Sequence, residues 1–118
     1  MLKEIAQRST VYLVPRCSDL RKGIDDLCAV VQGVLSQDPF SQSLFLFCGK
    51  RRDRIKELLW EEDGFMLLYK RLDNGSFRWP RTATEARQLT EKEIRWLLEG
   101  LEIDQAKAIK PGKKSVIY

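Results

Sequence analysis

The sequence predicts an α+β domain: an antiparallel β-meander packed against one long amphipathic helix, with a second, C-terminal helix. Three observations predict it. Leu44 to Pro80 is a series of short apolar runs separated by tight-turn signals, the pattern of hairpin-connected strands. From Asp19 the period changes, and Leu20, Ile24, Leu27, Cys28, Val31, Val34 and Leu35 fall on one helical face. Thr90-Glu91-Lys92-Glu93 is a capping box, which specifies where the later helix begins. A chain of 118 residues supports one core. The expected organisation is an N-terminal arm over 1–10, a single domain over 11–103 and a basic, mostly flexible tail over 104–118.

Val11 to Val14 is β-branched and aromatic and reads as a short strand, closed by Pro15, which can donate nothing to a ladder. Ser18 suits the N-cap of the long helix, with Asp19 favoured by the helix dipole in its first turn. Cys28 is then a small core residue, while Lys22, Asp25, Asp26 and Gln32 lie on the opposite face. Asp38-Pro39 closes this unit. Leu44 to Cys48 is apolar without alternation, as expected of a strand covered on both faces. Lys50, Arg51, Arg52 and Arg54 fall in or beside the connection to the next run, Ile55 to Trp60. Glu62-Asp63-Gly64 and Asp73-Asn74-Gly75 are hairpin signals, because type I′ turns need positive φ. Phe77 and Trp79 with Arg78 between them alternate like a half-buried edge strand that presents Arg78 to solvent. Arg81 to Gln88 is polar and reads as a loop. The last helix covers about Glu91 to Glu99, with Leu89 and Ile94 placed as a hydrophobic staple and Gly100-Leu101 as a Schellman ending.

The net charge of +4 and pI of about 9.1 permit nucleic-acid binding without requiring it. With no histidine, the commonest metal ligand and the commonest general base are both missing. Cys17, Cys28 and Cys48 are odd in number and form no CxxC pair, so neither a disulfide framework nor a zinc site is expected. No metal or other cofactor is expected. No stretch resembles a signal peptide or a membrane span, and the reading is a reduced, cytoplasmic protein without membrane contact. The carboxylates do not suggest a magnesium-dependent nuclease: Asp25 and Asp26 are adjacent on a polar helix face, and Glu61, Glu62 and Asp63 share a turn.

Binding is better represented than catalysis. In a meander alternate turns lie at the same end, so the 50–54 and 73–75 turns can share an edge. Lys70 and Arg71 then extend the patch of Lys50, Arg51, Arg52 and Arg54, with Arg21, Lys22 and Arg78 as further cations. Such a patch suits phosphate contact, with an affinity that falls steeply with salt. The alternative is a solvated turn paired with Asp53, Glu57, Glu61 and Glu62. Trp60, Phe65, Tyr69, Phe77 and Trp79 could stack bases or pack a core. Phe77 and Trp79 are the candidate anchors for a protein partner.

An ordered series of motifs carries a specific resemblance. It runs from Asp19-Leu20-Arg21-Lys22-Gly23-Ile24-Asp25-Asp26-Leu27 through Asp38-Pro39-Phe40-Ser41 to Leu44-Phe45-Leu46-Phe47-Cys48-Gly49-Lys50-Arg51-Arg52-Asp53-Arg54-Ile55-Lys56. It continues with Gly64-Phe65, Tyr69-Lys70-Arg71-Leu72 and Gly75-Ser76-Phe77-Arg78-Trp79-Pro80, and closes with Leu89-Thr90 and Leu97-Leu98-Glu99-Gly100. Over roughly Val11 to Ile103 the chain resembles the Orf2-like accessory proteins of the insertion-sequence-sixty-six family of bacterial transposons. It departs from their pattern at Gly49, often Asn there, and at Met66, often an aromatic. The resemblance implies a small non-enzymatic protein that assists transposition beside a separate transposase, and it supplies no catalytic residues. The expected partners are DNA, as transposon ends or any duplex, and the transposase, with another accessory protein as a further candidate.

Overall fold

A computed structural model describes residues 9–105 and residue 109. The chain forms β1 (Thr10–Cys17), α1 (Ile24–Ala29), β2 (Ser43–Cys48), β3 (Arg54–Trp60), β4 (Phe65–Arg71), β5 (Arg87–Leu89) and α2 (Glu91–Leu98). The strands make one five-stranded sheet in the order β4-β3-β2-β1-β5. β2, β3 and β4 are the expected antiparallel meander, whereas β1 pairs parallel to β2 and β5 antiparallel to β1. Most of the expected N-terminal arm and basic tail lies outside the described residues.

The core has two layers, one on each face. Leu27 and Val31 of α1 and the turn after it pack with Val14, Phe45, Phe47 and Leu58. On the other face Ile94 and Leu97 of α2, with Phe77 and Trp79, cover Val11, Leu13, Leu44, Leu46, Ile55 and Leu59. Every residue of β2 is buried as a result, which is why its sequence lacks alternation. The second helix therefore covers the face that the first leaves open.

The first helix is shorter than its apolar spacing suggests. It begins after Gly23, with no side-chain cap, five residues past Ser18. The Ser18 N–H is already bonded to the Cys48 carbonyl at 2.7 Å, and the Asp19 carboxylate accepts from the Arg21 N–H at 3.0 Å, so both are committed to a turn. At Val30–Val34 the α-helix passes into a π-helical turn, in which the Leu35 N–H reaches back to the Val30 carbonyl. Gly33 and the β-branched valines weaken the α preference there.

Pro15 does not close β1. The register passes from Leu13↔Leu46 to Cys17↔Cys48, so the first strand spends more residues than the second and bulges. Arg16 is left-handed at φ 63°, and its N–H bonds the Pro80 carbonyl at 2.8 Å. The proline thus sits where the ladder is already interrupted. The Asp63-Gly64 hairpin forms, but its positive φ falls on Glu62, at 58°. Gly75 has the expected positive φ of 83°, yet no strand returns along β4. Instead the Leu72 N–H bonds the Asp53 carbonyl and the Phe77 N–H bonds the Arg52 carbonyl, both at 2.6 Å, as the chain crosses toward β1 and buries Phe77 and Trp79. The polar stretch 81–88 then ends in β5, where pairing with Val11 to Leu13 overrides composition.

The later helix follows its sequence signals. Thr90 and Glu93 form both bonds of the capping box. Gly100 at φ 77° and Leu101 donate to Leu97 and Trp96 in the Schellman pattern.

Candidate functional site

Because β1 and β2 are parallel and β3 and β4 alternate with them, Cys17, Cys48, Arg54 and Arg71 all lie at one end of the sheet. Arg54 is the cross-strand partner of Arg71, and Ile55 of Lys70. Topology thus brings together Lys50, Arg51, Arg52, Arg54, Lys70 and Arg71, as the meander reading requires. The β1–α1 connection adds Arg21 and Lys22 at the same end, where the Lys56 ammonium donates to the Lys22 carbonyl at 3.0 Å. Arg78 is exposed between buried Phe77 and Trp79, although it lies in the crossing segment and not in an edge strand.

The turn that carries the cations is rigidly held. The Arg52 N–H bonds the Gly49 carbonyl at 2.9 Å and the Gly49 N–H bonds the Arg54 carbonyl at 3.1 Å, with Arg52 left-handed at φ 58°. The crossing segment takes the carbonyls of Arg52 and Asp53. Leu20 presses from a further side: a Cβ on Gly49 would lie 3.1 Å from Leu20 Cδ1, so glycine gives that side chain room.

The side chains diverge over two open depressions. One, of about 600 Å³, is lined by Arg21, Lys50, Arg51, Arg54, Leu20 and Tyr69 among others. The second, of about 480 Å³, lies between Leu13, Pro15 and Ile103 and receives Arg52, Arg78 and Arg81. Lys22, Lys70 and Arg71 are exposed beside them. What the sequence reads as one patch is a basic rim with two hollows.

Four carboxylates line these hollows, Asp19 and Asp53 the first and Glu102 and Asp104 the second. Asp19 holds the Arg21 Nε and Nη2 at 3.0 and 2.9 Å, and those bonds lower the pKa of its carboxyl to about 2. Asp53 Oδ1 lies 3.4 Å from Arg54 Nε, close enough for attraction but without hydrogen-bond geometry. Arg52 Nε and Arg54 Nε are buried and bond no acceptor in the protein. Leaving such donors unmade costs on the order of 1–3 kcal/mol each, and because both Nε atoms are closed to solvent, an incoming oxyanion would meet the outer, exposed groups of Lys50 and Arg51 first. The other acids of the paired-turn alternative do not reach the site. Glu61 and Glu62 lie in the β3–β4 turn at the opposite end, and Glu57 is buried in the middle of β3, where desolvation raises its pKa against the lowering effect of Lys70.

Phe77 and Trp79 are not surface anchors in this fold. They are 1% and 4% exposed, and the Trp79 indole donates to the Val14 carbonyl at 2.7 Å. The alternation that suggests an edge strand is that of a segment lying on the sheet. Burial also makes Cys48 a poor nucleophile, pushing its thiol up to about 12. Among the described residues no cluster of three or more His, Cys, Asp or Glu could hold a metal ion, and no helix is long and apolar enough to cross a membrane.

Two features escape a reading of the sequence. Arg87 joins β5 to both Glu93 of α2 and Asp104, fixing the wall of the second depression. At the far end of the sheet Phe40, Trp60 and Phe65 pack together, with ring centroids 4.9 to 5.2 Å apart. Asp38-Pro39 is legible as a turn, but nothing in spacing shows that it sets Phe40 over β3 and β4.

The family model described as IS66 Orf2 like protein matches residues 9–108. Two relatives from Sinorhizobium fredii, the uncharacterized proteins y4jC and y4hO, are 33% and 31% identical over 96 residues, which is 81% of this chain and 81% and 84% of theirs. No solved structure matches the chain.

Proposed function

The chain belongs to the IS66 Orf2-like family and is thus an insertion-sequence-associated accessory protein, and from that premise we propose that it assists transposition without catalysis, by binding DNA at the basic end of its sheet. Lys50, Arg51, Arg52 and Arg54 would contact phosphates, with Arg21, Lys22, Lys70, Arg71 and Arg78 supporting them. The observation that carries the reading is the gathering of these cations at one end of the sheet, where Arg54 pairs across strands with Arg71 and a hydrogen-bonded turn holds Lys50 and Arg51 exposed beside them. A rigid turn presents charge without ordering a loop at the moment of binding, which favours affinity. The role leaves strand-transfer chemistry to the separate transposase.

The test is a binding titration of the Lys50→Glu/Arg51→Glu variant against a transposon-end duplex and a scrambled duplex. Both residues are exposed, so the variant should keep its fold. Affinity should fall at least about tenfold at low salt, and the log–log salt slope should flatten by about 0.9 for each phosphate no longer neutralised. Unchanged binding by the folded variant would refute the site. The competing idea, a subunit that grips the transposase through Phe77 and Trp79 and touches DNA little, is weakened by the burial of both rings.

A further inference from the structure

The end of the sheet opposite the basic turn carries an aromatic cluster in which Phe40 is exposed over the half-buried Trp60 and Phe65. Phe40 is 55% exposed and packs edge-on to Trp60 at 5.1 Å and against Phe65 at 5.2 Å. It is held outward by a tight turn: the Phe40 N–H bonds Asp38 Oδ1 at 2.9 Å and the Ser41 hydroxyl bonds the Asp38 carbonyl at 2.8 Å. The flanking turns, 36–42 and 61–64, contain Asp38, Glu61, Glu62 and Asp63 and no lysine or arginine. Among the described residues a cation sits over a ring elsewhere, where Lys92 covers Trp96.

Rings framed by carboxylates attract guanidinium and ammonium groups, through the ring quadrupole and through charge. The surface with the complementary character is on the same molecule, at the other end of β3. A seven-residue strand separates them by about 23 Å, so one copy cannot bring its own two ends together. We infer that a second copy of the chain occupies the aromatic end, setting the basic turn Lys50–Arg54 of one molecule on Phe40, Trp60 and Phe65 of the next. The contact is head-to-tail, so it closes into a ring or propagates into a chain according to the rotation between successive copies. The inference uses the basic end but not its binding of DNA, and the two can fail separately.

Charge exchange tests it. Glu61→Lys/Glu62→Lys neutralises the acidic end, and Lys50→Glu/Arg51→Glu removes most of the positive charge of the basic turn; all four residues are exposed. In sedimentation velocity at low salt the unaltered chain should form species larger than a monomer that dissociate as salt rises. Each variant alone should associate much more weakly, since one of its two ends has lost most of its charge, and an equimolar mixture of the two should associate again through the two unaltered ends. Phe40→Ser should weaken association of the unaltered chain about tenfold while leaving DNA affinity unchanged. A monomer at every concentration, variants that associate like the unaltered chain, or a mixture that associates no better than either variant alone would each overturn the inference. A duplex titration of Glu61→Lys/Glu62→Lys separates it from the proposed function, because that variant keeps the whole basic end.

Discussion

The two ends of the sheet are built from the same strands but solve opposite problems. At the basic end the backbone is hydrogen-bonded to the crossing segment and within the turn, while the Arg52 and Arg54 Nε atoms make no hydrogen bond. At the far end the side chains satisfy one another as packed rings, and the acids around them stand in solvent. The difference shows where each end derives its shape. The basic end is positioned by long-range contacts that involve residues 72–80, and the aromatic end by local turns at 38–41 and 61–64.

That contrast is broken most forcefully at Trp79. Trp79→Ala removes a buried ring and the bond to the Val14 carbonyl, and should cost about 3–5 kcal/mol in urea unfolding. Below the midpoint the variant should also lose order at the Lys50–Arg54 turn before the Phe40 turn, which amide exchange can follow. Equal protection at both ends would contradict the bracing of the basic turn by the crossing segment.

A smaller effect lies midway along β3. Burial raises the folded-state pKa of Glu57, so its charge opposes folding at neutral pH. Its contribution favours the folded state below the unfolded value of 4.5 and is lost as pH rises through the raised folded value. Glu57→Gln should therefore melt a few degrees higher at pH 7 and show no such gain at low pH, in a pair of thermal scans.

The smallest effect sharpens the basic end alone. Asp19 engages Arg21 in a bidentate pair and stays ionised down to about pH 2, so across the ordinary range it withholds that guanidinium from an incoming anion. Both groups are exposed, and their contribution to stability is largely screened. Asp19→Asn should leave stability unchanged and raise duplex affinity severalfold at low salt, read in the same titration.

Local signals are the legible part of this fold. The capping box at Thr90, the Schellman ending at Gly100 and the meander of β2 to β4 form as their residues dictate, because each is decided by neighbours in sequence. The failures share a cause in partners distant along the chain. Pro15 lies inside a strand because Pro80 and Trp79 take the bonds its neighbours offer, and Phe77 and Trp79 are buried because the chain after Gly75 crosses the sheet. The same applies to the site. Alternating turns place Lys50–Arg54 beside Lys70 and Arg71, but the parallel pairing of β1 that adds Arg21, and the division into two hollows, depend on topology that periodicity does not encode.

The most direct measurement is amide chemical-shift mapping, at low salt, of the labelled Glu61→Lys/Glu62→Lys variant, which keeps the whole basic end, with a transposon-end duplex. Binding at the basic end predicts shifts concentrated at Arg21, Lys22, Lys50 to Arg54, Lys70, Arg71 and Arg78, with the turns at 38–41 and 61–64 unmoved. Shifts centred on the aromatic end, or none at a duplex concentration that saturates binding, would contradict it.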